Sequence, residues 1–161
     1  MSQNKQVHIY TDGSARGNPG PGGFGIVMLL VGDTRRREIA QGYQHTTNNR
    51  MELLAVIVAL QQIKEPCDIT CYTDSRYVSD AVNKNWLKGW EKKNFAKTKN
   101  PDLWIQFLKL YKQHAPAMVW VKGHADNKWN ERCDVLATTA AQGNQLLEDK
   151  GYMGTGSLFA S

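Results

Sequence analysis

The tripeptide Tyr-Thr-Asp occurs twice, as Tyr10-Thr11-Asp12 and Tyr72-Thr73-Asp74, each time closing a short β-prone run. A single aspartate after a strand commonly opens a turn or caps the next helix. Two such strands lying parallel and adjacent would be roughly 4.8 Å apart, which places both carboxylates at one sheet edge within reach of one cation. Glu52 sits in a run, Met51 to Leu60, that is apolar at nearly every other position. It either occupies a first helical turn, where the helix dipole favours it, or faces a group that compensates a buried charge. Asp134 lies just inside a later helical stretch, after a loop carrying His124 and Asp126. Helix electrostatics alone would also favour an acid there.

Convergence of the four acids would be costly without a counterion, since two unit charges ~4 Å apart repel by about 4 kcal/mol at an effective dielectric of 20. Hard divalent cations relieve that repulsion. An all-oxygen donor set without clustered Cys or His suits Mg²⁺, with Mn²⁺ as a substitute, and argues against structural zinc. One or two ions fit the reading; a pair roughly 3.5–4 Å apart can activate water and stabilise the leaving oxygen of a phosphodiester. The sequence contains neither Gly-x-x-x-x-Gly-Lys-Ser/Thr nor Gly-x-Ser-x-Gly, so nucleotide triphosphatase and serine hydrolase chemistry lack their signals.

A second constellation is cationic. Lys84, Lys88, Lys92, Lys93, Lys97 and Lys99 face only Glu91 among the acids of residues 84–99, with Trp86, Trp90 and Phe95 interleaved. On a helix, Lys84, Lys88 and Lys92 would form one row and Trp86 and Trp90 a neighbouring pair. Such a surface could grip phosphate and sugar, although a solvated lysine face over packed tryptophans fits the same pattern. Asn18 and Thr46 to Arg50 are short polar groups near two of the acids. Turn and capping roles are open to them, as are contacts to phosphates or to the 2′-hydroxyls that distinguish RNA from DNA.

Positioning these residues requires strands over Val7–Thr11, Phe24–Val31 and Arg37–Tyr43, the first two separated by a loop spanning the glycine-rich Gly13–Gly23. A buried helix should then run from Asn48 to about Lys64, followed by a strand over Asp68–Thr73 and a helix from Ser75 to Asn83. Prolines bound a helix from Asp102 to His114, Ala117–Val121 forms a fifth strand, and Glu131–Gln142 a last helix ended by Gly143. This order predicts an α/β fold, a five-stranded mixed sheet with helices on both faces.

At 161 residues with 41% hydrophobic and 22% charged content, the chain reads as one domain, 1–152, with 153–161 as a flexible tail. The net charge of +5 favours a polyanionic partner. Cys67, Cys71 and Cys133 have no metal-ligand spacing and read as reduced, buried thiols. The N-terminus lacks a signal-peptide core and no apolar run approaches the roughly 18 residues a spanning helix needs. The expectation is a cytoplasmic monomer with neither a membrane association nor a small organic cofactor.

Five blocks in order, Tyr-Thr-Asp-Gly-Ser with Gly-Asn-Pro-Gly-Pro-Gly-Gly, Thr-Thr-Asn-Asn-Arg-Met-Glu-Leu, Thr-Asp-Ser-x-Tyr-Val, Trp-Val-Lys-Gly-His and Asn-Glu-Arg-Cys-Asp, resemble bacterial type 1 ribonuclease H over residues 7 to about 152. The resemblance implies the ribonuclease H-like fold and endonucleolytic hydrolysis of the RNA strand of an RNA–DNA hybrid, leaving 3′-hydroxyl and 5′-phosphate ends. It implies that Asp12, Glu52, Asp74 and Asp134 hold the metal and that His124 assists proton transfer or product departure. Ser14, Asn18, Thr47, Asn48, Asn49 and Arg76 would contact the hybrid, and Trp86, Trp90, Lys92 and Lys93 belong to the basic protrusion that holds the DNA strand. Ala15 stands where many bacterial members have Cys and Arg76 where Gln is common, and residues 90–102 look shortened. A DNA-processing nuclease of the same fold, or a hybrid-binding module without catalysis, are the competing readings; substrate assays and Asp→Asn variants separate them.

Overall fold

The computed structural model describes residues 4–123 and 127–152. Three antiparallel strands, β1 (Lys5–Ala15), β2 (Gly20–Leu30) and β3 (Arg36–Thr46), lead into helix α1 (Asn48–Gln61) and strand β4 (Cys67–Thr73). Helices α2 (Arg76–Asn83), α3 (Trp86–Lys92) and α4 (Pro101–His114) follow, then strand β5 (Ala117–Trp120), helix α5 (Lys128–Gln142) and a two-residue strand β6 (Leu146–Leu147). The strands form one mixed sheet in the order β5-β4-β1-β2-β3-β6. No helix among the described residues is long and apolar enough to cross a membrane.

β1 and β4 are parallel neighbours, with Tyr10 opposite Tyr72 and Thr11 opposite Thr73, so the repeated tripeptide sits in register with itself. The strand pleat sends alternate residues to opposite faces. On one face the Tyr10 and Tyr72 rings stack with centroids 4.7 Å apart; on the other, Thr11 and Thr73 are buried. That second face also carries Ile9, Ile69, Cys71 and Met118, packed in one core with Val56 of α1, Val78 of α2 and Phe107 of α4. α1 is apolar on nearly all sides because it is sandwiched between β1 and β2 beneath and α4 above.

α5 covers the opposite face, across β1, β2 and β3. It sits close because its contact side is small and the strands beneath it lack side chains: a Cβ at Gly25 would lie 2.3 Å from the Cys133 carbonyl oxygen, and one at Gly42 would lie 2.2 Å from that of Ala140. This corrects the loop expected over Gly13–Gly23. β1 continues to Ala15 and β2 begins at Gly20, with Gly13 paired to Phe24 and Ser14 to Gly23. Two of these glycines, Gly13 and Gly23, serve close approach of helices to the sheet, while Gly17 and Gly20 shape the turn, and in sequence the two uses look the same.

Other expected limits also shift. α5 starts at Lys128, not Glu131, because Asn127 caps it, its side chain accepting from the amides of Trp129 and Asn130. α1 ends at Gln61, short of Lys64. The sheet has six strands, not five, since Leu146 and Leu147 pair in parallel with Gly42 and Tyr43 of β3. All three cysteines are free thiols; Cys71 and Cys133 are buried and Cys67 half-buried. The expected tail, 153–161, lies outside the described residues.

The segment after β6 is held by Arg50, which is 1% exposed in the first turn of α1. Its Nε donates to Asp149 Oδ2 at 2.7 Å, its Nη2 to Asp102 Oδ2 at 2.7 Å, and its Nη1 to Asn100 Oδ1 at 3.2 Å. Thr46 Oγ1 donates to the same Asp149 carboxylate. One guanidinium thus ties α1, α4 and the C-terminal segment together. Replacing it with Met leaves two carboxylates without their cation, so Arg50→Met should cost about 3–5 kcal/mol in urea unfolding. A loss below about 1 kcal/mol would show that the network is neutral.

Candidate active site

Asp12 lies in β1 opposite Gly25, and Asp74 follows the last residue of β4, so the two acids emerge side by side at the carboxyl edge of the parallel pair. Glu52 arrives from α1. Its approach depends on Gly13, where a Cβ would lie 2.4 Å from the Met51 carbonyl carbon and 2.5 Å from the Glu52 nitrogen. As a result one carboxylate oxygen from each of Asp12, Glu52 and Asp74 lies within 4.8 Å of the other two.

These oxygens are poorly satisfied. Asp12 is 6% exposed and one of its oxygens accepts from the Gly13 amide at 2.9 Å. Glu52 is half-buried as a residue, yet its Oε1 and Asp74 Oδ1 are shut away from solvent with no hydrogen-bond partner among the described residues. Burial, followed by the neighbouring charges of Asp74 and Asp134, pushes the Asp12 carboxyl up to about 8. Burial and the charges of Asp12 and Asp74 raise Glu52 well above the usual carboxylate range. Orphaned, mutually repelling oxygen donors in a partly buried cleft are what a hard divalent cation relieves, so the residues fit such an ion.

Asp134 stands near Asp12, close enough for its charge to help raise the Asp12 carboxyl. It is brought there by the low seat of α5 on Gly25. Three of the four expected acids therefore form the tight cluster, with the fourth at its flank. His124 falls in residues 124–126, outside the described residues. The residue before it, Gly123, abuts the site, since a Cβ there would lie 2.9 Å from Asp74 Oδ2.

The polar groups expected to meet substrate divide into two kinds. Asn18, in the 16–19 turn, accepts from the Asn48 amide at 2.9 Å, and the Asn48 side chain accepts from the Ala15 amide at 2.5 Å, which locks that turn to the start of α1. Thr47 caps α1, accepting from the Arg50 amide. Ser14 is half-buried near Asp12, while Asn49 and Arg76 are exposed. Asn18, Thr47 and Asn49 line one open cavity of about 450 Å³ with Lys99, Asn100 and Tyr152.

The basic segment forms α3 and the turn after it. Lys84, Lys88, Lys92, Lys93, Lys97 and Lys99 are all exposed. The two tryptophans part ways: Trp86 is 44% exposed, with the Lys84 ammonium 5.6 Å from its ring centre, whereas Trp90 packs on buried Trp104 with centroids 5.0 Å apart. A Trp90 anchored in the core is the packed alternative that its spacing had left open. Sequence reasoning missed Trp120, whose indole N–H donates to the Asp74 carbonyl oxygen at 3.0 Å. An aromatic at the end of an edge strand gives no sign of that contact.

Comparison with known proteins places these features in a family context. A family model described as RNase H matches residues 4–142. A ribonuclease H of Syntrophus aciditrophicus is 51% identical over 153 residues, covering 92% of this chain and 87% of its own. The crystal structure of LC9-RNase H1, a type 1 RNase H with the type 2 active-site motif, superposes with a TM-score of 0.80 at 30% identity, over 99% of this chain and 82% of that one. LC11-RNase H1, solved in complex with an RNA/DNA hybrid, gives a TM-score of 0.60 at 27% identity, over 84% of this chain and 96% of that one.

Proposed function

This chain belongs to the RNase H family, and we propose that Asp12, Glu52, Asp74 and Asp134 are its catalytic metal-binding residues. The protein is a ribonuclease H, an endonuclease that hydrolyses the RNA strand of RNA–DNA hybrids. The observation that carries the residue assignment is the meeting of Asp12, Glu52 and Asp74 within 4.8 Å beside Asp134, with two buried oxygens that have no hydrogen-bond partner among the described residues.

Mg²⁺, with Mn²⁺ as a substitute, is the ion proposed for this all-oxygen site. Bound there, it supplies Lewis-acid stabilisation of developing charge on the phosphate and lowers the pKa of the attacking water. The protein's own part is to hold the acids at fixed spacing from two strands and two helices, rigid elements that limit reorganisation during reaction. His124 is proposed as the proton carrier, since an unperturbed imidazole titrates near 6.5. Cleavage would leave 3′-hydroxyl and 5′-phosphate ends.

Ser14, Asn18, Thr47, Asn48, Asn49 and Arg76 are proposed to track the hybrid near the acids, and Trp86, Trp90, Lys92 and Lys93 to support the DNA strand, with Trp90 acting from beneath through its packing. A monomer is the proposed state. End-labelled RNA–DNA hybrid, duplex DNA and duplex RNA of one sequence, incubated with and without Mg²⁺, test the reading. Internal cleavage of the RNA strand in the hybrid alone, only with metal, is expected. Metal-independent cleavage, or equal cleavage of duplex DNA, would overturn it.

A further inference from the structure

Asp74 sits at a sharp change of direction. β4 ends at Thr73, α2 begins at Arg76, and the backbone must turn between them while aiming one carboxylate at Asp12. The peptide unit joining Asp74 to Ser75 is held at both ends. Its N–H, from Ser75, donates to Thr73 Oγ1 at 3.0 Å, and its carbonyl oxygen, from Asp74, accepts from the Trp120 indole at 3.0 Å. The ladder between β4 and β5 also reaches this point, the Val121 amide donating to the Thr73 carbonyl at 2.8 Å.

Trp120 is itself pinned. It ends β5, an edge strand, and remains 37% exposed, but the Arg76 guanidinium carbon lies 3.9 Å from the centre of its ring. That distance is well inside the roughly 6 Å range of a cation–π contact. Arg76 is the first residue of α2, two positions after Asp74. A closed circuit results: Asp74 carbonyl to Trp120 indole, Trp120 ring to Arg76 guanidinium, and Arg76 backbone back to Asp74 through Ser75. Ser75 caps α2 by accepting from the Val78 amide, which fixes the last side of the circuit.

We propose that Trp120, clamped between Arg76 and the Asp74 carbonyl, is a positioning residue that sets the aim of the Asp74 carboxylate and thereby the affinity of the acid cluster for divalent metal. Fixing that peptide plane removes freedom from the backbone on which the carboxylate is mounted, so less ordering remains when a cation binds. This inference rests on the reading of Asp74 as a metal ligand.

The test is calorimetric titration of Mn²⁺ alone into the full chain and into Trp120→Phe, Arg76→Leu and Asp74→Asn. Trp120→Phe keeps a ring for Arg76 but removes the N–H, and its Mn²⁺ dissociation constant should rise about three- to tenfold, the effect of one hydrogen bond. Arg76→Leu leaves the sheet untouched and should raise it about two- to threefold by freeing the ring. With hybrid and limiting Mg²⁺, Trp120→Phe should show reduced kcat that excess Mg²⁺ restores, with KM for hybrid within about twofold of wild type. Unchanged Mn²⁺ affinity in both variants, while Asp74→Asn loses it, overturns this inference and leaves the site assignment standing. A raised KM with unchanged Mn²⁺ affinity would make Trp120 a substrate platform and also overturn it. Unchanged affinity in Asp74→Asn would instead overturn the reading of Asp74 as a ligand.

Discussion

Asp12→Asn is expected to cut kcat by about 10³-fold or more and, at the same time, to raise the melting temperature of the metal-free protein at pH 8. On the proposed reading of Asp12 as a metal ligand, the loss follows from removing a charged donor at the centre of the cluster, where several kcal/mol of transition-state stabilisation would depend on bound metal. The gain follows from the strain that the same charge creates. Well below pH 3.8 Asp12 is protonated in both the folded and unfolded chains and has no differential effect. As pH rises, the unfolded chain gives up this proton near 3.8, whereas the folded chain keeps it until about 8, because burial and the charges of Asp74 and Asp134 oppose ionisation. A group with a raised folded-state pKa costs stability across that window, so the metal-free protein should weaken between roughly pH 4 and 8. Asparagine keeps the bond from the Gly13 amide, loses the charge, and should melt roughly 5 °C higher at pH 8, a few kcal/mol at the two to four degrees each gives in a chain of this size. The advantage should vanish at pH 4. Adding Mg²⁺ should raise the melting temperature of the wild type more than that of the variant. A variant that melts lower than wild type at pH 8, or that keeps a tenth of its activity, would remove Asp12 from the centre of the site.

Much of this site could be read from the sequence because its main signal is local and repeated. Tyr10-Thr11-Asp12 and Tyr72-Thr73-Asp74 announce two strands with the same ending, and the structure pairs them residue for residue. A buried helix with one acid was equally visible in Met51 to Leu60. What was hidden depends on three-dimensional neighbours. The glycines of residues 13–23 carry no mark that says whether they bend the chain or let a helix approach it, and here β1 and β2 run through most of them. The spacing of Trp90 fits a surface aromatic and a packed one equally, and it is Trp104, fourteen residues on, that draws it toward the core. Arg50 lies inside a recognisable motif, yet its burial is only possible because Asp102 and Asp149, from distant segments, arrive beside it. β6 is too short to have any periodicity; it forms because Asp149, two residues after it, is anchored by Arg50 and Thr46.

Gly13→Ala is the second variant with a large expected effect, because one methyl group should move Glu52 away from its partners. The added Cβ would lie 2.4 Å from the Met51 carbonyl carbon, 2.5 Å from the Glu52 nitrogen and 2.8 Å from Met51 Cβ. Non-bonded carbons prefer about 3.5–4.0 Å, so α1 must retreat from β1 by about 1 Å or the strand must bulge. Neither is easy. α1 is packed against α4 on its far side and pinned at its first turn by Arg50, so the overpacking should cost about 1–3 kcal/mol. Activity should suffer more than stability, since a misplacement near 1 Å can cost about 10²-fold and here it falls on an atom bonded directly to the Glu52 backbone. The loss should appear in kcat and in the metal concentration needed for half-maximal rate, with KM for hybrid changed little. Gly89→Ala in α3 is the control: nothing lies within 4 Å of its added Cβ, and alanine favours a helix, so its melting temperature should stay level or rise slightly. A Gly13→Ala protein that melts like wild type and cleaves within threefold of it would mean that the close seat of α1 on β1 is not what delivers Glu52 to Asp12.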